Sequence, residues 1–304
     1  MRSNVKKNLT FPGIPVILGT AEMGSAIPLR DSVAVLDAYA SLGGRMLDTA
    51  NNYAFWHPGA TGGESETVLG NWLEQRDRHA VTVITKIGSL PVRTAAGFGD
   101  VEGLAPEVVR RAAQESLLRL KTACLDILLA HHDDPKTPLL DTWAAFTALV
   151  AAGRVKKVGI SNFQPHRVIE LAELIRKHSL APVAVVQLQY SLIHPTTTAG
   201  LGKLVLLDQE MMATLKAHLP DATVVGYSPL LNGLFEKDTA APWPPAYDSP
   251  ENRRAVNRLQ QEAKAGGISP SAQVLKSIVA QGVFPITATG KVERLRENLA
   301  PFAF

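Results

Sequence analysis

The stretch LDILLAHHDDPKTPLLDTWAAFTALVAAGRVKKVGISN (residues 125–162) decides the fold, because it holds two apolar runs with a helical segment between them. The runs LDILLAH (125–131) and KVGISN (157–162) barely alternate between apolar and polar residues, which is typical of strands buried on both faces. Between them, LLDTWAAFTALVAAG (139–153) repeats apolar residues at three- and four-residue spacing, as an amphipathic helix does. The stretch therefore predicts a strand–helix–strand unit with parallel strands.

The same pattern recurs along the whole chain of 304 residues. Apolar runs rich in Val, Ile and Leu alternate with amphipathic segments such as SVAVLDAYASL (32–42) and SETVLGNWLEQ (65–75). The six further runs are PVILGT (15–20), RMLDTA (45–50), VTVITKI (81–87), VAVVQLQY (183–190), TVVGYSP (223–229) and FPITAT (284–289). Eight such units and no ninth predict an α/β fold. The expected fold is a (β/α)8 TIM barrel with a parallel eight-stranded sheet, as a single domain over residues 1–304.

A doubly wound sheet is the alternative for a chain of alternating strands and helices. Such folds usually carry G-x-G-x-x-G directly after the first strand, where the glycines let the backbone approach a pyrophosphate. The nearest approach here, Gly97-Phe98-Gly99, has Glu102 where the third glycine belongs, and it follows the third apolar run. The pattern therefore favours the barrel.

Composition and charge exclude several classes of partner. The chain is 46% hydrophobic and 19% charged, and its net charge is only +3, so we expect no nucleic-acid and no membrane partner. The basic start has no apolar run behind it, unlike a signal peptide. The single cysteine, Cys124, permits no internal disulfide, and the cytoplasm is the expected compartment. The oligomeric state stays open.

Polar residues and long loops cluster where a barrel enzyme has its active site, at the C-terminal ends of the strands. Asp48 ends the second apolar run, and Tyr53 follows in its loop. Lys86 lies near the end of the third run, and His131 ends the fourth. Long connections follow the third and seventh runs, and loops of such length are typical of lids or binding loops. These two loops are GSLPVRTAAGFGDVEGLA (88–105) and LLNGLFEKDTAAPWPPAYD (230–248).

Each of these four residues has an ordinary structural explanation when it is taken alone. The aspartate caps a loop, the tyrosine packs, the lysine reaches solvent, and the histidine is satisfied in the core. Their convergence favours catalysis, because a lysine inside a buried strand needs a charge partner such as Asp48. The set suits proton donation to a developing alkoxide. We expect Lys86 to lower the pKa of Tyr53, and His131 to polarise the carbonyl oxygen.

The run His131-His132-Asp133-Asp134 is also compatible with a metal site. Successive strand residues point to opposite faces, however, so the four cannot all converge on one ion. The other strand ends offer a lysine and two amides, which are poor ligands. We therefore expect no metal, and we expect Asp133 and Asp134 to cap the loop that follows.

Several motifs, in this order, resemble those of the aldo-keto reductases, and the resemblance spans nearly the whole chain. The motifs are LDTANNY (47–53), GGESETVLG (62–70), TKIG (85–88), LDILLAHHDDP (125–135), AGRVKKVGISNF (152–163), VVQLQYSL (185–192), GYSPL (226–230) and KVERLRENL (291–299). The catalytic tetrad of that family falls here on Asp48, Tyr53, Lys86 and His131. The resemblance implies an NAD(P)H-dependent oxidoreductase that interconverts a carbonyl and an alcohol, with Tyr53 as general acid and base.

The resemblance also implies contacts to a nicotinamide cofactor. Ser161, Asn162 and Gln187 would hold the carboxamide, and Tyr227 would stack on the nicotinamide ring. The other implied contacts are Gly19, Thr20, Asp48, Ser228, Leu230, Thr289, Lys291, Arg294 and Asn298. Family members often place a cation directly after strand eight for the 2′-phosphate, whereas here the positive charge comes a few residues later. A helix N-terminus there still favours an anion, so we expect NADP(H) over NAD(H).

The substrate is expected to be a small carbonyl or alcohol that contacts aromatic and polar side chains at the barrel mouth. Trp56 and Trp243 offer aromatic faces, and His132 and Asp133 offer polar contacts, which suits a sugar-like molecule. The chain ends at Phe304 without the long tail that closes over steroids in some relatives, so we expect an open mouth. A nucleotide-binding regulatory subunit with little turnover and a metal-dependent barrel hydrolase stay as alternatives.

Overall fold

Eight strands close into a parallel barrel in a computed structural model of the chain, which describes residues 13–93, 99–197, 202 and 204–302. The strands are β1 (Ile17–Gly19), β2 (Met46–Asp48), β3 (Thr82–Ile87), β4 (Leu125–Ala130), β5 (Val155–Ser161), β6 (Val183–Gln189), β7 (Thr223–Tyr227) and β8 (Phe284–Thr287). Each strand pairs with its neighbours in sequence order, and β8 pairs back onto β1. The predicted (β/α)8 barrel is confirmed.

Helices surround the barrel, and the described part of the chain contains nine of them. They are α1 (Leu29–Ser41), α2 (Glu64–Leu73), α3 (Pro106–Arg119), α4 (Leu139–Ala151), α5 (Pro165–His178), α6 (Gln209–His218), α7 (Pro250–Ala265), α8 (Pro270–Ala280) and α9 (Val292–Leu299). One helix follows each strand except β7, which both α7 and α8 follow before the chain returns to β8. The outer ring closes where α9 packs against α1. None of these described helices is long and apolar enough to cross a membrane.

The inner face of the barrel is apolar at its lower levels and polar at its mouth. Its buried apolar side chains are Ile17, Met46, Ile84, Ile127, Leu129, Ala184, Val185, Val225 and Ile286. Because side chains alternate along a strand, the next inward position lies two residues further on. In β2, β3 and β6 this position is Asp48, Lys86 and Gln187, which follow Met46, Ile84 and Val185. The strand geometry that packs the core therefore also aims these polar groups at the mouth.

Three long connections leave the C-terminal ends of the strands, one more than predicted. The loop after β3 (88–105) contains an antiparallel bridge between Pro91 and Val101, and its residues 94–98, with part of the Gly97-Phe98-Gly99 run, lie outside the described residues. The loop after β7 forms short 3-10 helices at Leu231–Glu236 and Pro245–Tyr247. The third loop, 190–208 after β6, returns to that strand through a bridge between Gln189 and Leu206.

Candidate active site

Lys86 lies at the centre of the candidate site, and all three of its ammonium donors are engaged. Its Nζ donates to Asp48 Oδ1 at 2.7 Å, to the Thr49 carbonyl at 2.8 Å and to the Tyr53 hydroxyl at 2.8 Å. Lys86 is 0% exposed and Asp48 is 1% exposed, so the ion pair lies inside the barrel. A buried ammonium needs a paired charge and satisfied donors, and this one has both. The expected pairing of Lys86 with Asp48 is present.

Asp48 is held from a second side by a residue of a distant strand. Gln187 Nε2 donates to Asp48 Oδ2 at 2.7 Å, while the Tyr53 hydroxyl donates to Asp48 Oδ1 at 3.2 Å. The Tyr53 oxygen thus accepts from an ammonium and donates to a carboxylate. Its proton is directed at Asp48 until another acceptor arrives in the cavity.

Asn162 connects several walls of the site through one amide. It has a φ of +58°, in the left-handed region that residues with a Cβ seldom adopt. Its Oδ1 accepts from the Tyr227 hydroxyl at 2.7 Å and from the Val205 backbone at 3.2 Å. Its Nδ2 donates to the His131 carbonyl at 3.1 Å and to Ser161 Oγ at 3.0 Å. The amide is fully engaged, so a bound carboxamide would have to replace one of these partners.

His131 and His132 form a stacked pair at the end of β4. Their ring centroids are 5.0 Å apart, and His132 Nδ1 lies 2.6 Å from Ser89 Oγ. The His131 ring meets Tyr53 edge-on at 6.0 Å, and its buried Nδ1 has no hydrogen-bond partner among the described residues. Burial, aided by the charge of Lys86, lowers the pKa of His131 well below its usual value. His131 is therefore a neutral imidazole at physiological pH.

Burial also sets the pKa values of the tyrosine and the lysine. Desolvation raises the pKa of Tyr53 well above its usual value, and the Asp48 carboxylate raises it further. Desolvation lowers the pKa of Lys86, although Asp48 opposes this change. The pKa of Tyr53 is therefore raised, and not lowered as we expected, because burial and the nearby carboxylate are the main causes of its shift. The phenol keeps its proton and can serve as a donor.

A cavity of about 1260 Å³ opens at the barrel mouth and brings most of the predicted site residues together. The predicted residues that line it are Gly19, Asp48, Tyr53, Trp56, His131, His132, Ser161, Asn162, Gln187, Tyr227, Ser228, Leu230, Thr289, Lys291, Arg294 and Asn298. Lys86 is fully buried and meets the cavity only through the Tyr53 hydroxyl. Thr20 is buried, and its hydroxyl contacts the Asp48 carbonyl at 2.9 Å and Ser65 Oγ at 2.7 Å. The predicted cofactor contact of Thr20 thus has no support in the geometry.

Three helix N-termini reach the cavity, and they differ in what they offer to an anion. At α1, the first-turn residue Asp31 lines the cavity, and its carboxylate disfavours an anion there. At α8, the Ser269 hydroxyl caps the first turn, and the Glu236 carboxylate accepts from the Ser271 N–H at 3.0 Å and from its hydroxyl at 2.6 Å. At α9, the N-cap residue Lys291 makes no side-chain cap, and Lys291 and Arg294 both line the cavity. An anion is therefore favoured at α9, where the helix dipole and two cations coincide.

Part of the predicted substrate wall lies elsewhere in the structure. Trp243 is only 6% exposed and packs against the Arg253 guanidinium, 4.9 Å from the ring centroid. Asp133 accepts two hydrogen bonds from Arg167, at 2.8 and 2.9 Å, so it pairs with a helix instead of facing substrate or capping the loop. Asp134 does cap the loop, by accepting from the backbone two residues ahead at 3.1 Å. Among the described residues, no three His, Cys, Asp or Glu side chains are grouped as metal ligands.

Several cavity residues carry no signal in the sequence. They are Asp31, Asn52, Ser89, Glu236 and Ser271. Glu102, in the loop after β3, also makes contacts that the sequence does not predict: it accepts from Asn51 Nδ2 at 2.7 Å and from the Gly88 backbone at 2.8 Å. Burial raises the pKa of Glu102. The Glu102 carboxylate thus links the loop after β3 to the loop that carries Tyr53. No local sequence pattern predicts this contact.

Comparisons with known proteins agree with this geometry. A family model described as the aldo/keto reductase family matches residues 15–304. The chain is 29% identical over 273 residues to aldo-keto reductase str7 of Strobilurus tenacellus, covering 84% of this chain and 74% of that protein. It is 25% identical over 315 residues to protein tas of Escherichia coli (strain K12), covering 93% of this chain and 87% of the relative.

Solved structures show the same fold. A thermostable aldo-keto reductase in complex with the inhibitor epalrestat superposes with a TM-score of 0.69 at 24% identity, covering 94% of this chain and 88% of that one. The family match defines an oxidoreductase of carbonyl substrates, from a family whose members use nicotinamide cofactors. The chain belongs to the aldo/keto reductase family.

The tyrosines give a pH prediction that needs no substrate. All five tyrosines of the chain have raised pKa values, and burial is the first cause for each. The unfolded chain therefore releases its phenolic protons first. Stability that is present at neutral pH is lost as the pH rises above about 10, the usual pKa of tyrosine.

We expect the folded protein to show little tyrosinate absorbance at about pH 10.5, where the urea-unfolded chain is mostly ionised. Spectrophotometric titration of both states, with circular dichroism to confirm folding, measures the difference. Equal titration curves for the folded and unfolded protein would contradict the burial argument.

Proposed function

We propose that the chain is an NAD(P)H-dependent reductase of aldehydes or ketones, which also oxidises the corresponding alcohols, with Tyr53 as general acid and base. One observation carries the proposal: a single buried ammonium, that of Lys86, meets both the Asp48 carboxylate and the Tyr53 hydroxyl at the barrel mouth. A purely structural lysine would also need partners for its donors, but none of them would have to be a phenol at a cavity. The contact to a cavity-lining phenol is the arrangement that proton transfer requires.

The residues at the far end of the cavity fit a dinucleotide. Asn298 lines that end, and its buried side-chain oxygen has no partner among the described residues. A Cβ added at Gly290 would lie 3.1 Å from the Ile27 side chain, so glycine keeps this passage open. Lys291 and Arg294 supply positive charge at the N-terminus of α9. When bound, the reduced nicotinamide supplies the hydride that the carbonyl carbon receives.

The chain's own residues manage the proton. Tyr53 gives its proton to the substrate oxygen as negative charge develops there. The phenolate that remains lies beside the Lys86 ammonium, 2.8 Å away, which stabilises it. Asp48, held by Gln187, keeps the ammonium in position. The neutral imidazole of His131 offers a ring N–H to the same oxygen.

Replacing Tyr53 by Phe tests the proton donor. The variant keeps the ring and loses the acid, so we expect kcat to fall by at least ~100-fold, the scale of general acid catalysis, with cofactor affinity nearly unchanged. Steady-state kinetics and fluorescence titration with NADPH measure the two quantities.

Tyr247→Phe is the matched control. That hydroxyl accepts from Gln189 Nε2 at 3.1 Å, and Tyr247 is not among the cavity-lining residues, so its loss should leave kcat within about twofold. More than half of the wild-type activity in Tyr53→Phe would show that the tetrad assignment is wrong. NADPH binding by the wild type without turnover of any carbonyl would favour the regulatory-subunit alternative.

The preference for NADP(H) over NAD(H) rests on the cations at α9. Lys291→Ala with Arg294→Ala should weaken NADPH at least ~10-fold more than NADH, because charge-assisted contacts to the 2′-phosphate are lost. Arg296→Ala is the control, since this arginine shares the helix but does not line the cavity. Dissociation constants for NADPH and NADH measure the effect. Equal weakening of the two would contradict the assignment of Lys291 and Arg294 to the 2′-phosphate.

The substrate we propose is a sugar-like carbonyl. Trp56 is 40% exposed and lines the cavity, where its flat face can cover the C–H side of a sugar ring. Polar His132, Ser89 and Asn52 line the same cavity and can take hydroxyl groups. An aromatic face beside a few polar groups is the usual division of labour in a small-ligand site.

We therefore expect hydroxylated, sugar-like aldehydes to exceed bulky steroids in kcat/KM. Trp56→Ala should raise KM for the sugar-like substrates by about fivefold with little change in kcat, the mark of lost uniform binding. Trp56→Tyr, which keeps a flat ring, should recover most of the loss. A substrate panel in which steroids win, or unchanged sugar kinetics in Trp56→Ala, would reject the substrate class and leave the reductase proposal standing.

A further inference from the structure

A carboxylate on the loop after β1 reaches across the cavity rim to the loop after β2. Glu22 Oε1 accepts from the Trp56 indole Nε1 at 3.2 Å, and Glu22 Oε2 pairs with His57 Nε2. The two oxygens of one carboxylate thus hold two consecutive side chains. The first of these, Trp56, lines the cavity and meets the Tyr53 ring edge-on, with 6.0 Å between centroids.

The backbone at Glu22 is held by hydrogen bonds within the loop after β1. Its backbone carbonyl accepts from the Ile27 N–H at 2.8 Å and from Ser25, whose hydroxyl donates at 3.0 Å. The next residue, Met23, is fully buried in the core. Because the backbone at Glu22 is held in this compact turn, its side chain extends from a fixed point on the cavity rim.

The loop that carries Trp56 is constrained on its other side. Ala54 has a φ of +78° and is fully buried, although a residue with a Cβ seldom adopts this left-handed conformation. Such a turn persists only where its surroundings hold it, as contacts on both sides do here. The Phe55 ring packs against the Trp56 indole, with 5.3 Å between centroids. What remains to be fixed is the orientation of the exposed indole, and the Nε1 contact with Glu22 fixes it.

We propose that Glu22 is a positioning residue for substrate selection: its carboxylate holds the Trp56 indole as a wall of the substrate end of the cavity. The inference rests on the reductase function proposed above for the same cavity. It assigns to Glu22 an effect on substrate affinity, and not on the chemical step, since no hydrogen bond joins Glu22 to the tetrad and Glu22 does not itself line the cavity.

The tryptophans of the chain allow a test that is independent of turnover. The chain has four of them, and Trp56 is 40% exposed whereas Trp72, Trp143 and Trp243 are at most 6% exposed. Acrylamide quenching of tryptophan fluorescence therefore reports mainly on Trp56. Glu22→Ala should raise the quenching constant by about 1.5-fold or more, because Trp56 then loses the contact that orders its indole. The expected rise is modest, because a partly exposed contact to a carboxylate is weak.

The kinetic arm uses the same variant with a hydroxylated aldehyde. We expect Glu22→Ala to raise KM by about two- to fivefold, the range of an exposed ion pair, with kcat within about twofold of wild type. Glu22→Gln keeps an oxygen that can accept from the indole, so its quenching constant and its KM should both lie nearer to the wild-type values.

Asp37 supplies a matched control away from the cavity. Its Oδ1 accepts from the Trp72 indole Nε1 at 2.8 Å, the same carboxylate–indole contact, on the outside of the barrel. Asp37→Ala should change neither the quenching constant nor KM. Unaltered quenching and KM in Glu22→Ala, or changes no larger than those of Asp37→Ala, would overturn the proposal. A wild-type protein without reductase activity would contradict the proposed function, whereas the quenching comparison would still decide whether Glu22 holds Trp56.

Discussion

The buried ion pair between Lys86 and Asp48 is the interaction on which the rest of the site depends. Removing an ammonium or a carboxylate from water costs several kcal/mol per ion even after the protein relaxes, on the order seen for buried charges in general. The cost is offset only if every donor of the lysine finds a partner, and here the partners are the carboxylate, a backbone carbonyl and the phenol of Tyr53. Tyr53 is therefore placed by the electrostatic needs of Lys86 as well as by its own loop.

The same desolvation determines which protonation states are available. It holds the proton on Tyr53 and removes the charge from His131, so the resting site contains a neutral acid and a neutral hydrogen-bond donor around one ion pair. In such a site, neither Tyr53 nor His131 has to change its protonation state before an uncharged carbonyl binds. The raised pKa of Tyr53 does not follow from the charge types in the sequence, because its largest cause is the burial of the phenol.

The barrel and much of the candidate site could be predicted because they follow from short-range patterns. Strand positions show as apolar runs, and inward-facing polar residues at the strand ends show as interruptions in them, as at Asp48 and Lys86. Contacts between loops could not be predicted, since they depend on where each loop folds back. Trp243 was expected at the barrel mouth and is buried. Glu22 belongs to no recognisable motif, yet it accepts a hydrogen bond from Trp56 at the cavity rim. The bond from Gln187 to Asp48 spans 139 residues, beyond the reach of any local pattern.

The change from apolar to polar levels inside a closed barrel has a consequence for strand register. A closed sheet has no free edge, and here β8 pairs with β1. A slip of one residue would turn Asp48 outward and Leu47 inward, and the ammonium of Lys86 would then face an apolar interior. An ammonium buried without its carboxylate is strongly destabilising, so the pair disfavours every register of β2 against β3 except the one observed. The groups that serve the candidate site therefore also act as a register mark for the sheet that carries them.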